Sequence, residues 1–326
     1  MIAVYRGIEE LAAGLGPSVA AIGNFDGVHR GHQEILRAVV AEARLREMLA
    51  VAVTFDPHPD KFLRPDCAPA LLTPMEHRLS LLAATGVDAI VVLRFDELLA
   101  RLSAGEFVQT VLVDAMCVRG LHEGGNFRFG YKAEAGVDEL KQFGSEFGFA
   151  VRVHEPVHVH GLEVSSSAIR AMVAAGDMKR ARWMLGRPFA VRATQKRDRG
   201  VGSKLLVPTV NLAEYKGHLP AFGVYVTRLT IGARCFQAVT NVGNRPTFED
   251  AGFSVETHIL DFEPVDHPSD KDPSPAAPVE MDVTTTLELE FLIRLRPEMK
   301  WPSPEALKSQ IFKDVGRAKR YFRLVG

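Results

Sequence analysis

Hydrophobic positions follow two regimes along the chain. In the first half, short uninterrupted apolar runs alternate with stretches of helical periodicity. SVAAIGNFD, LAVAVTFD, DAIVVLRFD and DAMCVRG read as strands, because a short unbroken apolar run suits a strand buried on both faces. Between them, HQEILRAVVAEARLREM and PMEHRLSLLAATG place apolar residues three and four apart, the spacing of an amphipathic helix. Strands alternating with helices predict a parallel sheet covered on both faces. Ligands of such sheets sit beyond the carboxyl ends of the strands.

From about Arg187 the pattern changes. VTRLTIGA, CFQAVTNVG, FSVETHILDF and TTTLELEFLIRLR are β-rich, with turn residues between them. Short strands at close spacing predict a small antiparallel barrel or sandwich. Ser303-Pro304-Glu305 marks the start of a closing helix, with serine at the N-cap and proline in the first turn. Leu307, Ile311, Val315 and Phe322 are expected on its apolar face. The boundary falls near Gly186-Arg187-Pro188, after a helix containing MKRARWML, so the expected domains are 1–186 and 187–326. The proline- and acid-rich stretch 263–280 reads as a loop within the second domain.

Composition narrows the class of protein. Of 326 residues, 47% are hydrophobic and 24% charged, enough apolar material for packed cores and too much for a disordered chain. Basic and acidic residues number 39 and 40, a net charge of −1, which argues against a nucleic-acid partner. Cys67, Cys117 and Cys235 are far apart and form no CxxC pair, so a zinc site or disulfide framework is not expected. No apolar stretch approaches the ~20 residues that span a bilayer, and the N-terminus lacks the pattern of a secretory leader. The expected setting is the cytoplasm, or an organellar stroma or matrix for a eukaryotic chain that has shed a transit peptide. Self-association is compatible with the sequence.

Five local patterns carry candidate chemistry. The first is Gly23-Asn24-Phe25-Asp26-Gly27-Val28-His29-Arg30-Gly31-His32, which follows a strand-like run and opens a helix. Glycines let backbone approach a phosphate, and a helix N-terminus favours anions. His29 and His32 add two imidazoles at the point where charge develops during nucleotidyl transfer. The second is Gly125-Asn126-Phe127-Arg128-Phe129-Gly130, which either holds a flat ring or forms a glycine-bounded hairpin with core phenylalanines. The third is Val164-Ser165-Ser166-Ser167-Ala168-Ile169-Arg170, serines suited first to capping a helix and then to phosphate, with Arg170 able to neutralise one. The fourth is Pro208-Thr209-Val210-Asn211, whose Thr209 and Asn211 share one side of an extended chain. The fifth is Val255-Glu256-Thr257-His258, where Glu256 is either a general base for a hydroxyl or a salt-bridged strand residue. No GxxxxGK[ST] loop and no kinase HRD/DFG set is present.

In this order, together with TFDPHP, GVY, NVGNRPTF and SPEALKSQIFKDV, these motifs resemble the prokaryotic-type bifunctional riboflavin kinase/FMN adenylyltransferase family, the FAD synthetases. The resemblance runs over essentially the whole chain. It implies a Rossmann-like nucleotidyltransferase domain followed by a six-stranded antiparallel β-barrel with a terminal helix. It implies magnesium-dependent conversion of riboflavin and ATP to FMN in the second domain, and of FMN and a second ATP to FAD and pyrophosphate in the first. Carried over by position, Gly23, Asn24, Phe25, Asp26, His29, Gly31 and His32 would hold ATP, and Ser165, Ser166 and Arg170 its phosphates. Asp56, Pro57, His58, Pro59, Asn126 and Phe127 would shape the flavin side. In the kinase, Thr209 and Asn211 would hold magnesium and phosphate, and Glu256 would take the proton from the ribityl hydroxyl.

The sequence departs from the family pattern before Pro208. Ser203 replaces an arginine and Leu206 a glycine of the usual Gly-Arg-x-Leu-Gly-Phe. Leucine resists positive φ and close ligand approach. An adenylyltransferase with a degenerate kinase domain is therefore the first alternative, and a non-catalytic flavin-nucleotide-binding protein the second.

Overall fold

The computed structural model describes residues 2–11, 14–194, 209–213, 215–244, 253–260 and 285–325. By internal contacts the chain divides into two compact units, Met1–Ser166 and Ser167–Gly326. The loop carrying Ser203 and Leu206 and the stretch 263–280 lie outside the described residues.

The first unit is built on six parallel strands: β1 (Ala3–Arg6), β2 (Ser18–Ile22), β3 (Leu49–Asp56), β4 (Ala89–Arg94), β5 (Val118–Gly124) and β6 (Ala150–His154). Their order is β1-β4-β3-β2-β5-β6, and each neighbouring pair is parallel. Successive strands step one way from β2 to β4, and the chain then returns to the other side of β2. The reversal makes the gap between β2 and β5 a topological switch point.

The unbroken apolar runs are explained by burial on both faces. Val19, Ala21, Ala50, Ala52, Ile90 and Val92 pack on one face with Leu36, Val39 and Ala43 of the Arg30–Leu45 helix. Ala20, Ile22, Val51, Val53, Val91 and Leu121 pack on the other with Phe107, Val111 and Leu140. One strand expectation shifts: in DAMCVRG only Val118 onward is extended, because residues Val108–Ala115 wind as a π-helix and Met116 closes its last turn. The edge strands β1 and β6 did not stand out in the sequence. A two-stranded ribbon, β7 (His158–Val159) with β8 (Leu162–Glu163), completes this unit.

Among the described residues the second unit contains six antiparallel strands: β9 (Phe189–Thr194), β10 (Thr209–Asn211), β11 (Gly223–Ile231), β12 (Arg234–Asn244), β13 (Phe253–Ile259) and β14 (Thr286–Pro297). Their order is β10-β13-β12-β11-β14-β9. The sheet curls until its edges approach: the Ala213 N–H, just past β10, donates to the Thr194 carbonyl at the end of β9 at 2.8 Å. A buried hydroxyl chain crosses its middle, Thr227 to Thr240 at 2.8 Å and Thr240 to Thr257 at 3.0 Å. Thr240, in the middle, can donate to one neighbour and accept from the other, so the two bonds run in one direction along the row.

The closing helix spans Pro304–Val325, and Ser303 Oγ accepts from the Ala306 N–H at 3.2 Å as the N-cap. Its expected apolar face needs correction. Val315 and Phe322 pack with Ala318 against Val224, Val226 and Val239, whereas Leu307 and Ile311 are exposed. Contact with the sheet begins about a turn later, at buried Asp314, which accepts from Arg296 Nε at 2.9 Å and Gln310 Nε2 at 2.9 Å.

Candidate active sites

Three of the sequence motifs meet in the first unit because three adjacent strands end together. TFDPHP closes β3, the Gly23–His32 loop follows β2, and the Gly125–Gly130 turn follows β5.

The Gly23–His32 loop is tightly wound. Phe25, Gly27 and Val28 all have positive φ, 46°, 85° and 37°. Glycine adopts this conformation freely, but phenylalanine and a β-branched valine do so at a cost of about 1–2 kcal/mol each. Their side chains are 2% exposed, so burial in the core offsets that strain. Asp26 fixes the loop from within. Its carboxylate is 1% exposed and accepts from the backbone N–H groups of Leu72 at 3.0 Å and Thr73 at 2.9 Å, and from the Thr73 hydroxyl at 3.2 Å. The Arg78 guanidinium, equally buried, lies 3.9 Å away. Thr73 Oγ1 in turn accepts from the Gly27 N–H at 2.9 Å. Both Asp26 oxygens are thus committed to protein groups, and this carboxylate supports the loop rather than facing a ligand.

The loop ends by starting a helix. His29 is the N-cap of Arg30–Leu45, and its Nδ1 accepts from the His32 N–H at 3.3 Å. The cap brings the two imidazoles face to face, with centroids 3.5 Å apart and planes 17° from parallel. Phe25 meets His32 edge-on at 5.2 Å. Gly31 leaves room for the stack, since a Cβ there would stand 3.2 Å from the His29 ring. Ser166, first residue of the Ser166–Ala175 helix, donates its hydroxyl to the Asp26 carbonyl at 2.8 Å. Ser165 and Arg170 are half-buried, and the Arg170 carbonyl accepts from His218 Nε2 at 3.0 Å.

At the end of β3, Asp56 and Pro57 are exposed and joined by a cis peptide. His58 is buried and caps the short Pro59–Leu63 helix, accepting from the Asp60 N–H at 3.1 Å. After β5, Asn126 is exposed and Phe127 half-buried. Phe127 stacks on Phe129 with centroids 5.4 Å apart. Phe129 is core, 7% exposed, and its backbone pairs with Ala135. The two sequence readings of this segment therefore divide it: Phe129 belongs to a glycine-bounded bridge, while Asn126 is exposed and Phe127 packs half-buried against the core.

Sequence reasoning missed Glu123. It is 3% exposed on β5, and its Oε1 accepts from the Ile22 N–H at 2.8 Å. Burial pushes its carboxyl well above the ordinary carboxylate range, against a smaller opposing pull from that hydrogen bond. The segment around it, VRGLHEG, gave no periodic sign that this glutamate is buried.

In the second unit, strand register joins distant motifs. Asn211 of β10 stands opposite Glu256 of β13, and Thr209 opposite His258. On its other side Glu256 pairs with Asn241 of β12. Residues directly opposite in antiparallel strands share a face, so Asn211, Glu256 and Asn241 form one row. Glu256 is exposed and both asparagines are half-buried. Among the described residues no three His, Cys, Asp or Glu side chains cluster as a metal cage. The row instead offers hard oxygen donors of the kind that complete a magnesium shell around substrate phosphates.

The doubly wound parallel sheet with its His-x-Gly-His helix start, joined to a curled antiparallel sheet, defines a two-unit nucleotide-handling protein. A family model described as FAD synthetase matches residues 12–168, and one described as riboflavin kinase matches residues 185–322. Relatives named bifunctional riboflavin kinase/FMN adenylyltransferase include a Pseudomonas fluorescens protein, 35% identical with 96% of each chain covered. Another is from Escherichia coli K12, 32% identical with 98% of this chain and 97% of the relative covered. A crystal structure described as a macrolide-efflux protein from Streptococcus pneumoniae superposes with a TM-score of 0.83 at 26% identity, covering 98% of this chain and 99% of that one. The chain belongs to the bifunctional riboflavin kinase/FMN adenylyltransferase family. No helix among the described residues is long and apolar enough to cross a membrane.

Proposed function

We propose that residues 1–186 adenylylate FMN and residues 187–326 phosphorylate riboflavin, each with the site residues named above. The observation that carries the reading is the meeting of TFDPHP, the Gly23–His32 loop and the Gly125–Gly130 turn at the carboxyl ends of β3, β2 and β5. In adenylyl transfer an FMN phosphate oxygen attacks the α-phosphorus of ATP and pyrophosphate leaves. No covalent enzyme intermediate is needed, so catalysis is positioning and charge neutralisation. The His29–His32 stack and the helix start would stabilise the charge on the phosphates, with Gly23, Asn24, Ser165, Ser166 and Arg170 around them. Phe25 and Asp26 act through the shape of the loop. Asp56, Pro57, His58 and Pro59 with Asn126 and Phe127 would flank the flavin.

In the kinase, the ribityl 5′-hydroxyl attacks the γ-phosphorus of ATP and ADP leaves. Glu256 would take the hydroxyl proton. Thr209 and Asn211 would hold magnesium, which neutralises phosphate charge when bound. The opposition of Asn211 and Glu256 in the β10–β13 ladder supports this division of roles. We assign the protein to the cytoplasm, in keeping with three free thiols, Cys67, Cys117 and Cys235.

The test is chromatography of FMN and FAD from purified protein given riboflavin, or FMN, with ATP and magnesium. His32→Ala should stop FAD formation and leave FMN formation. Glu256→Gln should stop FMN formation and leave FAD formation from supplied FMN. Equal loss of both activities in either variant would refute separate sites. FAD from FMN alone in the wild type would make the second unit a degenerate kinase.

A further inference from the structure

The strands β2 and β5 part company at the place where the adenylyl-transfer loop begins. Their ladder pairs Ser18 with Val118, Val19 with Gly120 and Ala20 with Leu121, and ends there. β5 continues beside β6 as far as Gly124, and β2 continues beside β3 as far as Ile22. In a parallel ladder successive residues send their amides to opposite neighbours. The Gly23 N–H is taken on the β3 side, by the Val53 carbonyl at 3.0 Å. The Ile22 N–H therefore points to the β5 side, where the ladder has stopped. There it meets the Glu123 carboxyl at 2.8 Å.

We propose that Glu123 is a positioning residue for adenylyl transfer, a side-chain acceptor that replaces the missing ladder bond at the switch point and anchors Ile22, the last strand residue before the Gly23–His32 loop. The proposal rests on the reading of that loop as the adenylyl-transfer site. A buried amide without an acceptor is costly, and here the cost would fall at the root of a loop whose shape sets the His29–His32 stack. With Val53 on one side and Glu123 on the other, the loop is held from both neighbouring strands.

Burial pushes the Glu123 carboxyl well above the ordinary carboxylate range, the Ile22 amide opposes that less strongly, and no charged side chain contributes. Its neighbour His122 turns to the opposite side of the sheet, where it meets Glu42 at 3.0 Å and His154 at 2.9 Å. A glutamine, neutral and of the same length, retains the acceptor. Leucine removes it while filling the space.

The experiment follows FMN adenylylation by full-length wild type, Glu123→Gln and Glu123→Leu, with riboflavin phosphorylation by the same preparations as the internal reference. At pH 7, Glu123→Gln should keep kcat within about twofold. Glu123→Leu should lose at least about tenfold in kcat, a change worth about 1.4 kcal/mol, with phosphorylation unaltered. Wild-type kcat in Glu123→Leu, or an equal loss in Glu123→Gln, would each overturn the proposal. If Glu123→Leu fails to fold, Glu123→Met, which also lacks the oxygen acceptor, is held to the same two outcomes. His32→Ala is the companion control. If it abolishes FAD formation while Glu123→Leu is unaffected, only the role of Glu123 fails. If it leaves FAD formation intact, the site reading fails first.

Discussion

Replacing Asp26 with alanine should cost the first unit much of its stability, although the residue belongs to no regular element. The carboxylate accepts three hydrogen bonds, from the Leu72 and Thr73 amides and the Thr73 hydroxyl, at 3.0, 2.9 and 3.2 Å. Bonds to a charged group contribute about 1.5–3 kcal/mol each when buried, and bonds sharing one acceptor group do not add in full. The substitution also removes the counter-charge 3.9 Å from Arg78, whose side chain is 1% exposed. Together these give about 4–6 kcal/mol, against a total of about 5–15 kcal/mol for a folded domain. At a urea slope of about 2 kcal/mol per molar, the unfolding midpoint falls by about 2–3 M. Both tryptophans, Trp183 and Trp301, belong to the second unit. Their fluorescence therefore reports that unit, while far-UV circular dichroism reports both. Urea titration should move the dichroism transition and leave most of the fluorescence transition in place. A loss below about 1.5 kcal/mol would refute the view that this carboxylate holds the loop.

Gly31→Ala should lower FMN adenylylation at least about tenfold, with riboflavin phosphorylation unchanged, because the new Cβ would stand 3.2 Å from the His29 ring and push the stacked imidazoles apart. A kinetic assay at saturating ATP reads it, and wild-type kcat would show that the stack is dispensable. Acidification from pH 7.5 to 5.5 should destabilise the first unit through His122 and His154. Burial holds both imidazoles below the ordinary histidine value; Glu42 pulls His122 up less strongly, while Arg152 adds to the depression of both. The folded state thus favours neutral rings, so their contribution is complete above pH ~6.5 and is lost as pH falls below it. Glu42 is itself held below 4.5 and stays ionised across this range. His154→Gln should therefore flatten the fall in melting temperature, and an unchanged slope would remove the pair from the acid response.

The strands that the sequence made legible were those with burial on both faces. LAVAVTFD coincides with β3 from Leu49 to Asp56, since a strand buried on both faces reads as a near-continuous apolar run. β1 and β6 escaped because edge strands are half exposed, and their burial patterns mix exposed with intermediate positions. DAMCVRG misled because apolar content alone cannot separate a buried helical turn from a strand. The helix at Pro304 was legible from its cap, a local signal. Its buried seam was not, because the register of Asp314 against Arg296 is fixed by the sheet.

The same distinction orders the candidate sites. Glycines and histidines announce themselves by local spacing, so the loop at Gly23–His32 could be found without a structure. Its supports could not. Asp26 stands inside the motif, yet its partners lie at Leu72, Thr73 and Arg78, and the sequence alone could not say whether the carboxylate faced a ligand or the protein. Glu123 is a buried acid in β5, and its purpose depends on which neighbour β5 has at that point. In the second unit, Asn211 and Glu256 became partners only through the β10–β13 register. A ligand-facing residue is constrained by chemistry that a short motif can express. A residue that holds such a motif in place is constrained by whichever strand or loop lies next to it, and that information is distributed along the chain. Substitutions at Asp26 and Glu123 are therefore the sharper test of the site's construction, because each acts on the loop without replacing any of its proposed contacts.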